Sequence, residues 1–103
     1  MDGIELKVDR NGPGAVLSVT GEVDLTSAPR LDDEVTSLIE GAVTDLVIEL
    51  RGVSFMDSTG LRVLLKASKL IDSNGGKLQL AQPSEPVRRL LEVSGLDTHF
   101  TLT

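Results

Sequence analysis

The chain has 103 residues, a hydrophobic fraction of 40%, no cysteine and a formal net charge of −6, which fits one compact domain, residues 1–103, with a core but no disulfide. Its two aromatic residues and its negative charge disfavour a nucleic-acid partner, because base stacking and phosphate attraction are both weak. No apolar run approaches the roughly 20 residues that cross a bilayer, and the N-terminus lacks a signal-peptide pattern, so we expect a cytoplasmic protein with no membrane partner.

Two strands, a helix and a third strand are predicted in the first half of the chain. Residues 4–9 alternate apolar and polar side chains, and a turn at 11–14 separates them from a second strand over 15–20. Apolar residues at three- and four-residue steps predict a helix over about 27–40. Residues 46–50 are nearly all apolar, which is typical of an interior strand covered on both faces.

The second half of the chain continues the alternation. A helical period from 61 to 71 is stopped by Asn-Gly-Gly at 74–76, and residues 77–81 alternate as a strand. Pro-Ser-Glu-Pro at 83–86 opens a third helix, while the tail at 98–103 fits either a short edge strand or a loop. This order predicts an α/β fold with a mixed central sheet of four to five strands, covered mainly by helices.

The best candidate for chemistry is the joint Phe-Met-Asp-Ser-Thr-Gly-Leu at 55–61, which leads from a strand into a helix. A helix N-terminus presents unpaired N–H groups and a partial positive charge, so it tolerates an anion such as phosphate. Ser58 is therefore a candidate site of modification. The alternative is that Ser58 or Thr59 simply caps the helix.

Cofactor, metal and catalytic sites are poorly supported by the sequence. No glycine-rich phosphate-binding loop precedes a helix, the single histidine His99 has no ligand pattern around it, and the acidic residues do not form a calcium loop. A hydrolase would need Ser58 as nucleophile and His99 as its base, and the Gly-x-Ser-x-Gly elbow is absent. We expect neither a cofactor nor an enzyme, and we interpret Phe55 and Met56 as core residues.

Three segments resemble the signature segments of the bacterial anti-sigma factor antagonists, which are stand-alone STAS domains. They are Thr-Gly-Glu-Val-Asp-Leu at 20–25, the joint at 55–61, and Leu-Glu-Val-Ser-Gly-Leu at 91–96. The similarity covers essentially the whole chain in order and spacing. It implies a protein that binds an anti-sigma factor of the serine-kinase type and thereby releases a sigma factor.

The resemblance also implies roles for individual residues. Ser58 corresponds to the phosphoacceptor, with Thr59 as the alternative hydroxyl. The anti-sigma factor is then the kinase, and a PP2C-type phosphatase acts on the phosphorylated form. The expected partner-binding residues are Asp24, Asp57, Thr59, Gly60 and Arg62.

Arg62 departs from the family pattern, in which many members have a glycine at this position. It lies four residues after Ser58, so its guanidinium is within reach of a phosphate on that serine. We expect such a phosphate to act at the interface rather than by unfolding, and we expect a monomer or weak homodimer. The functional alternative is a non-phosphorylated STAS scaffold or a small-ligand-sensing module.

Overall fold

The computed structural model describes residues 3–103, which form a mixed α/β fold as the sequence predicts. Strands and helices alternate after an opening pair of strands. In chain order the elements are β1 (Ile4–Asn11), β2 (Gly14–Val23), α1 (Ala28–Glu40), β3 (Asp45–Met56), α2 (Ser58–Ser73), β4 (Lys77–Ala81), α3 (Glu85–Val93) and β5 (Thr101–Leu102).

The five strands form one sheet in the order β1-β2-β3-β4-β5. The first two are an antiparallel pair joined by a tight turn, in which Gly12 has φ +63°. The remaining pairs are parallel, so the carboxyl ends of β2, β3 and β4 lie along the same edge. The tail that the sequence left open is a short edge strand, because Leu102 of β5 pairs with Leu80 of β4.

One core joins the sheet to the three helices. Along residues 15–19 of β2 and 46–50 of β3 every second side chain is fully or nearly fully buried, which is the pattern of a sheet covered on one face. The helices add their apolar stripes to the same cluster. Its largest fully buried members include Leu17, Leu31, Ile48, Leu64, Ile71, Leu80 and Leu91.

The third strand differs from the sequence prediction in two ways. Residues 46–50 are not covered on both faces: Val47 and Glu49 are only half-buried, whereas Ile48 between them is fully buried. The strand also continues to Met56, beyond the predicted end at residue 50. Register shifts in its pairing with β2 accommodate this extension, and they bring the strand to the residue before Asp57.

Candidate functional site

Ser58 is the first residue of α2 and lies on the surface of the protein. Within residues 3–103 its hydroxyl forms no hydrogen bond. The hydroxyl therefore stands at the N-terminal end of a 16-residue helix, which carries the partial positive charge of the helix dipole. A hydroxyl in this position is open to modification.

The helix cap at this point is Asp57 rather than either hydroxyl residue. Asp57 has an extended backbone (φ −106°, ψ −170°), and its Oδ1 accepts the N–H of Thr59 at 2.9 Å and also the Thr59 hydroxyl. The Thr59 hydroxyl is the main reason that the pKa of Asp57 lies below its ordinary value, with smaller help from the N–H groups of Thr59 and Gly60, while partial burial opposes the shift. Capping by Ser58, the structural alternative, is therefore wrong.

Asp24 organises the loop between β2 and α1. Its Oδ1 accepts the N–H groups of Thr26 at 3.0 Å and Ser27 at 3.1 Å. The fully buried Ser27 hydroxyl accepts the Asp24 N–H at 2.9 Å and donates to the Glu22 carbonyl at 2.8 Å. The carboxylate is thus half-buried and held in place, so it presents a fixed negative charge at the loop surface.

The parallel pairing of β2 with β3 brings the two acidic residues to the same edge of the sheet. Val23 pairs with Met56, and the Asp57 N–H donates to the Val23 carbonyl at 3.1 Å. Asp24 and Asp57 therefore follow directly on paired strand ends. The structure places both residues at the edge from which Ser58 begins α2.

The other predicted contact residues divide into exposed and buried positions. Arg62 is exposed and forms no ion pair within the described residues, and Thr59 is half-buried. Gly60 is buried, and a Cβ there would lie 2.7 Å from Val23 Cγ1 and 2.8 Å from Met56 Cγ. Gly60 thus lets α2 pack closely against the sheet, and its expected role as a partner contact stays a prediction.

Sequence reasoning missed three exposed apolar residues around this site. Phe55 is 46% exposed, which corrects its interpretation as a core residue, and Leu25 and Val93 are 75% and 82% exposed. Leu25 lines a shallow groove together with Thr59 and Arg62. Val93 could have been found from the sequence, because it lies outside the stripe that α3 buries through Val87 and Leu91.

Other kinds of site find little support in the described residues. No group of three or more metal-binding side chains occurs among residues 3–103, and none of the helices there is long and apolar enough to span a membrane. His99 packs edge-on against Phe100, with ring centroids 5.0 Å apart. No hydrogen bond in residues 3–103 joins His99 to Ser58, as a hydrolytic pair would require.

Comparison with known proteins identifies the family. A family model described as the STAS domain matches residues 5–103. The chain belongs to the STAS domain family. This STAS domain is 39% identical over 93 residues to the anti-sigma-B factor antagonist of Bacillus subtilis, an alignment that covers 90% of the chain and 84% of that relative.

Two further comparisons agree with this result. The anti-sigma-B factor antagonist of Staphylococcus aureus is 32% identical to this STAS domain over 80 residues, which are 78% of the chain and 74% of the relative. The crystal structure of an anti-sigma factor antagonist from Mycobacterium paratuberculosis matches it with a TM-score of 0.88 and 29% identity, covering 98% of the chain and 86% of that structure. The family resemblance inferred from the three sequence segments is confirmed.

Proposed function

We propose that this STAS domain is an anti-sigma factor antagonist that is switched off by phosphorylation of Ser58. The observation that carries the proposal is the Ser58 hydroxyl, exposed and free at the start of α2, while Asp57 performs the capping. The named function of its relatives supplies the partner, an anti-sigma factor. Binding of that partner would release the sigma factor, in the cytoplasm where transcription takes place.

The chemistry of the switch follows from charge. A phosphate on Ser58 adds about −1.5 to −2 charges at neutral pH, beside the fixed carboxylates of Asp57 and Asp24. The helix N-terminus partly neutralises this charge, so the fold tolerates it. An approaching partner, however, meets a surface with a different electrostatic potential and a larger side chain, which lowers its affinity.

In this proposal the protein is a substrate and a binding partner, with no catalytic role of its own. The anti-sigma factor is a serine kinase that uses its own ATP, and a PP2C-type phosphatase restores the free hydroxyl. Thr59 is a poorer phosphate acceptor than Ser58, because Thr59 is half-buried and its hydroxyl already donates a hydrogen bond to Asp57. Arg62, four residues after Ser58 on the same exposed helix surface, is proposed to contact the phosphate or the kinase.

The proposal is tested by combining phosphorylation with binding measurements. Incubation with the cognate anti-sigma kinase and ATP should add one phosphate to the wild type and to Thr59→Ala but none to Ser58→Ala, as read by mass spectrometry. Ser58→Asp should bind the same partner about 5- to 150-fold more weakly than the wild type, as measured by calorimetry. Arg62→Gln should change either the phosphorylation rate or the affinity.

Ser73→Asp is the matched control, because Ser73 is an exposed serine at the other end of α2. It adds the same charge to the same helix and should leave partner affinity unchanged. If Ser58→Asp binds as tightly as the wild type, the switch is absent. Absence of phosphate from both Ser58 and Thr59, with partner binding retained, would favour the STAS scaffold instead.

A further inference from the structure

An apolar groove of about 480 Å³ lies between α3 and the end of β3, the strand that leads to Ser58. An ion pair between Glu85 and Arg89, at 3.5 Å, lies on its rim. The walls and floor of the groove are formed by Phe55, Met56, Pro86, Leu90 and Val93.

Two apolar residues of the groove are exposed to solvent instead of being packed in the core. Phe55 is one of two aromatic residues in the chain, and it is 46% exposed while Phe100 is buried. Val93, at the end of α3, is 82% exposed. A contiguous apolar surface that is rimmed by charged residues is typical of a site for another molecule.

The groove is continuous with the surface of the proposed switch, since Phe55 and Met56 directly precede Asp57 and Ser58 in the chain. We propose that the groove receives an apolar side chain of the anti-sigma factor. The same interface then contacts Val93 and Phe55 and is weakened when Ser58 is phosphorylated. This inference rests on the function proposed above. It adds the residues that give the interface its affinity.

The position of the groove favours this occupant over a second copy of the chain. A copy seated there would lie over Phe55, three residues before Ser58, and would hinder the access that the kinase needs. The seven residues that line the groove are also too few to form a stable interface alone, because specific interfaces involve about 20–30 residues on each partner. It acts as an anchor within a larger contact, in the way that a few buried apolar or aromatic side chains supply most of the binding energy of an interface.

The groove also explains why a phosphate on Ser58 would weaken binding. An apolar side chain that enters the groove removes water from the neighbouring surface. An unmodified hydroxyl loses little by this, whereas a doubly charged phosphate must give up part of its hydration shell, and an apolar side chain offers no hydrogen-bond donor or positive charge to replace it. Binding in the groove therefore becomes weaker when Ser58 carries a phosphate, because the partner has to dehydrate the added charge.

The absence of cysteine from the chain permits a direct test. Val93→Cys introduces a single thiol in the groove, and Val16→Cys introduces one near the start of β2, where the valine is 39% exposed. Each variant is treated with a maleimide, alone and with saturating anti-sigma factor. We expect the partner to slow the labelling of Val93→Cys about tenfold or more and to leave the labelling of Val16→Cys unchanged.

A second pair of variants measures affinity without a label. Val93→Ser should weaken binding of the anti-sigma factor about tenfold, whereas Val16→Ser should not, and thermal unfolding checks that both remain folded. The valine at 93 is exposed, so its replacement leaves the core intact.

The outcomes separate this inference from the proposed function. If Ser58→Asp loses the partner but the Val93→Cys thiol is labelled in the complex as fast as in the free protein, the groove is not the anchor and the switch stands. If the anti-sigma factor binds no form of the protein, the proposed function itself fails. Slow labelling of Val93→Cys at high protein concentration without partner would mean that a second copy fills the groove, which overturns the inference.

Discussion

Asp57 caps α2, a role that a serine often has at the start of a helix, and it leaves the hydroxyl of Ser58 without a structural role. Asp57 satisfies the backbone N–H of Thr59 at 2.9 Å, which makes the Ser58 hydroxyl unnecessary for capping. The hydroxyl is then free to change its chemical state without loss of the cap. This arrangement agrees with the proposed switch, in which the site exists in two forms within one fold.

The ionisation of Asp57 gives a prediction at the scale of single residues. Thr59→Val removes the hydroxyl that contributes most to lowering the Asp57 pKa, so we expect this pKa to rise toward its ordinary value. Carboxyl-carbon NMR titration measures the change. Thr36→Val is the control, because the Thr36 hydroxyl donates to Asp32 on α1 and its loss should leave the pKa of Asp57 unchanged.

The same shift sets a pH dependence of stability. Because the pKa of Asp57 is lower in the folded state, its stabilising contribution is present above the unfolded-state value of about 3.8 and is lost as the pH falls through the folded-state value. The free energy of unfolding of the wild type should therefore fall more steeply below about pH 4 than that of Thr59→Val. Urea unfolding at a series of pH values measures this dependence. If the free energy of unfolding fell equally with pH in the wild type and in Thr59→Val, this role of the hydroxyl would be contradicted.

At the scale of elements, the start of α2 depends on close packing at Gly60. A Cβ at this position would lie within 2.8 Å of both Val23 Cγ1 and Met56 Cγ, below any ordinary contact distance. The glycine therefore fixes how closely the helix approaches the ends of β2 and β3. The orientation of Ser58 depends on that approach, since the two residues share the first turn of the helix.

Gly60→Ala should destabilise the protein by about 1–3 kcal/mol, because overpacking costs more than the gain in helix propensity returns. Chemical denaturation measures this change. Gly14→Ala is the control: a Cβ there would have its nearest neighbours at 3.6 Å and 3.8 Å, so its stability should change little or rise slightly. Equal stability of Gly60→Ala and the wild type would show that the side chains around it yield without cost.

The sequence predicted the helices better than the strand that precedes the site. The first helix was expected over about 27–40 and lies at Ala28–Glu40, because its apolar period is unbroken. The third strand was expected to end at residue 50, where the apolar run over 46–50 is followed by Arg51 and Gly52. Its extension to Met56 depends on pairing with β2, a long-range interaction that a local pattern cannot reveal.

At the scale of the whole molecule, local sequence pattern predicts the order of the elements but not which side chains are buried. The α/β order and the mixed sheet follow from local periodicity, and both were predicted correctly. The exposure of Phe55 and the half-burial of Val47 were not predicted, because they depend on where the helices lie over the sheet. The family motif located Ser58, but only the packed structure shows the groove beside it.

Phosphorylation should leave this framework intact. The phosphate would attach to an exposed hydroxyl at the end of a 16-residue helix whose buried face belongs to the core. Attraction to the helix N-terminus, worth about 0.3–1 kcal/mol, opposes repulsion from Asp57, so the net change in stability should be small. We expect a shift in melting temperature below about 5 °C for a domain of this size.

Amide hydrogen exchange of the phosphorylated and unmodified proteins distinguishes an interface switch from an unfolding switch. Changes in protection should be confined to the first turn of α2 and to the loop that follows Asp24, while β2, β3 and β4 keep their protection because their hydrogen bonds lie away from the added charge. Ser58→Ala treated with the same kinase and ATP is the control. Loss of protection throughout the sheet would show that the phosphate acts by unfolding the protein. Unfolding alone would then explain the loss of partner affinity, without any contribution from the groove.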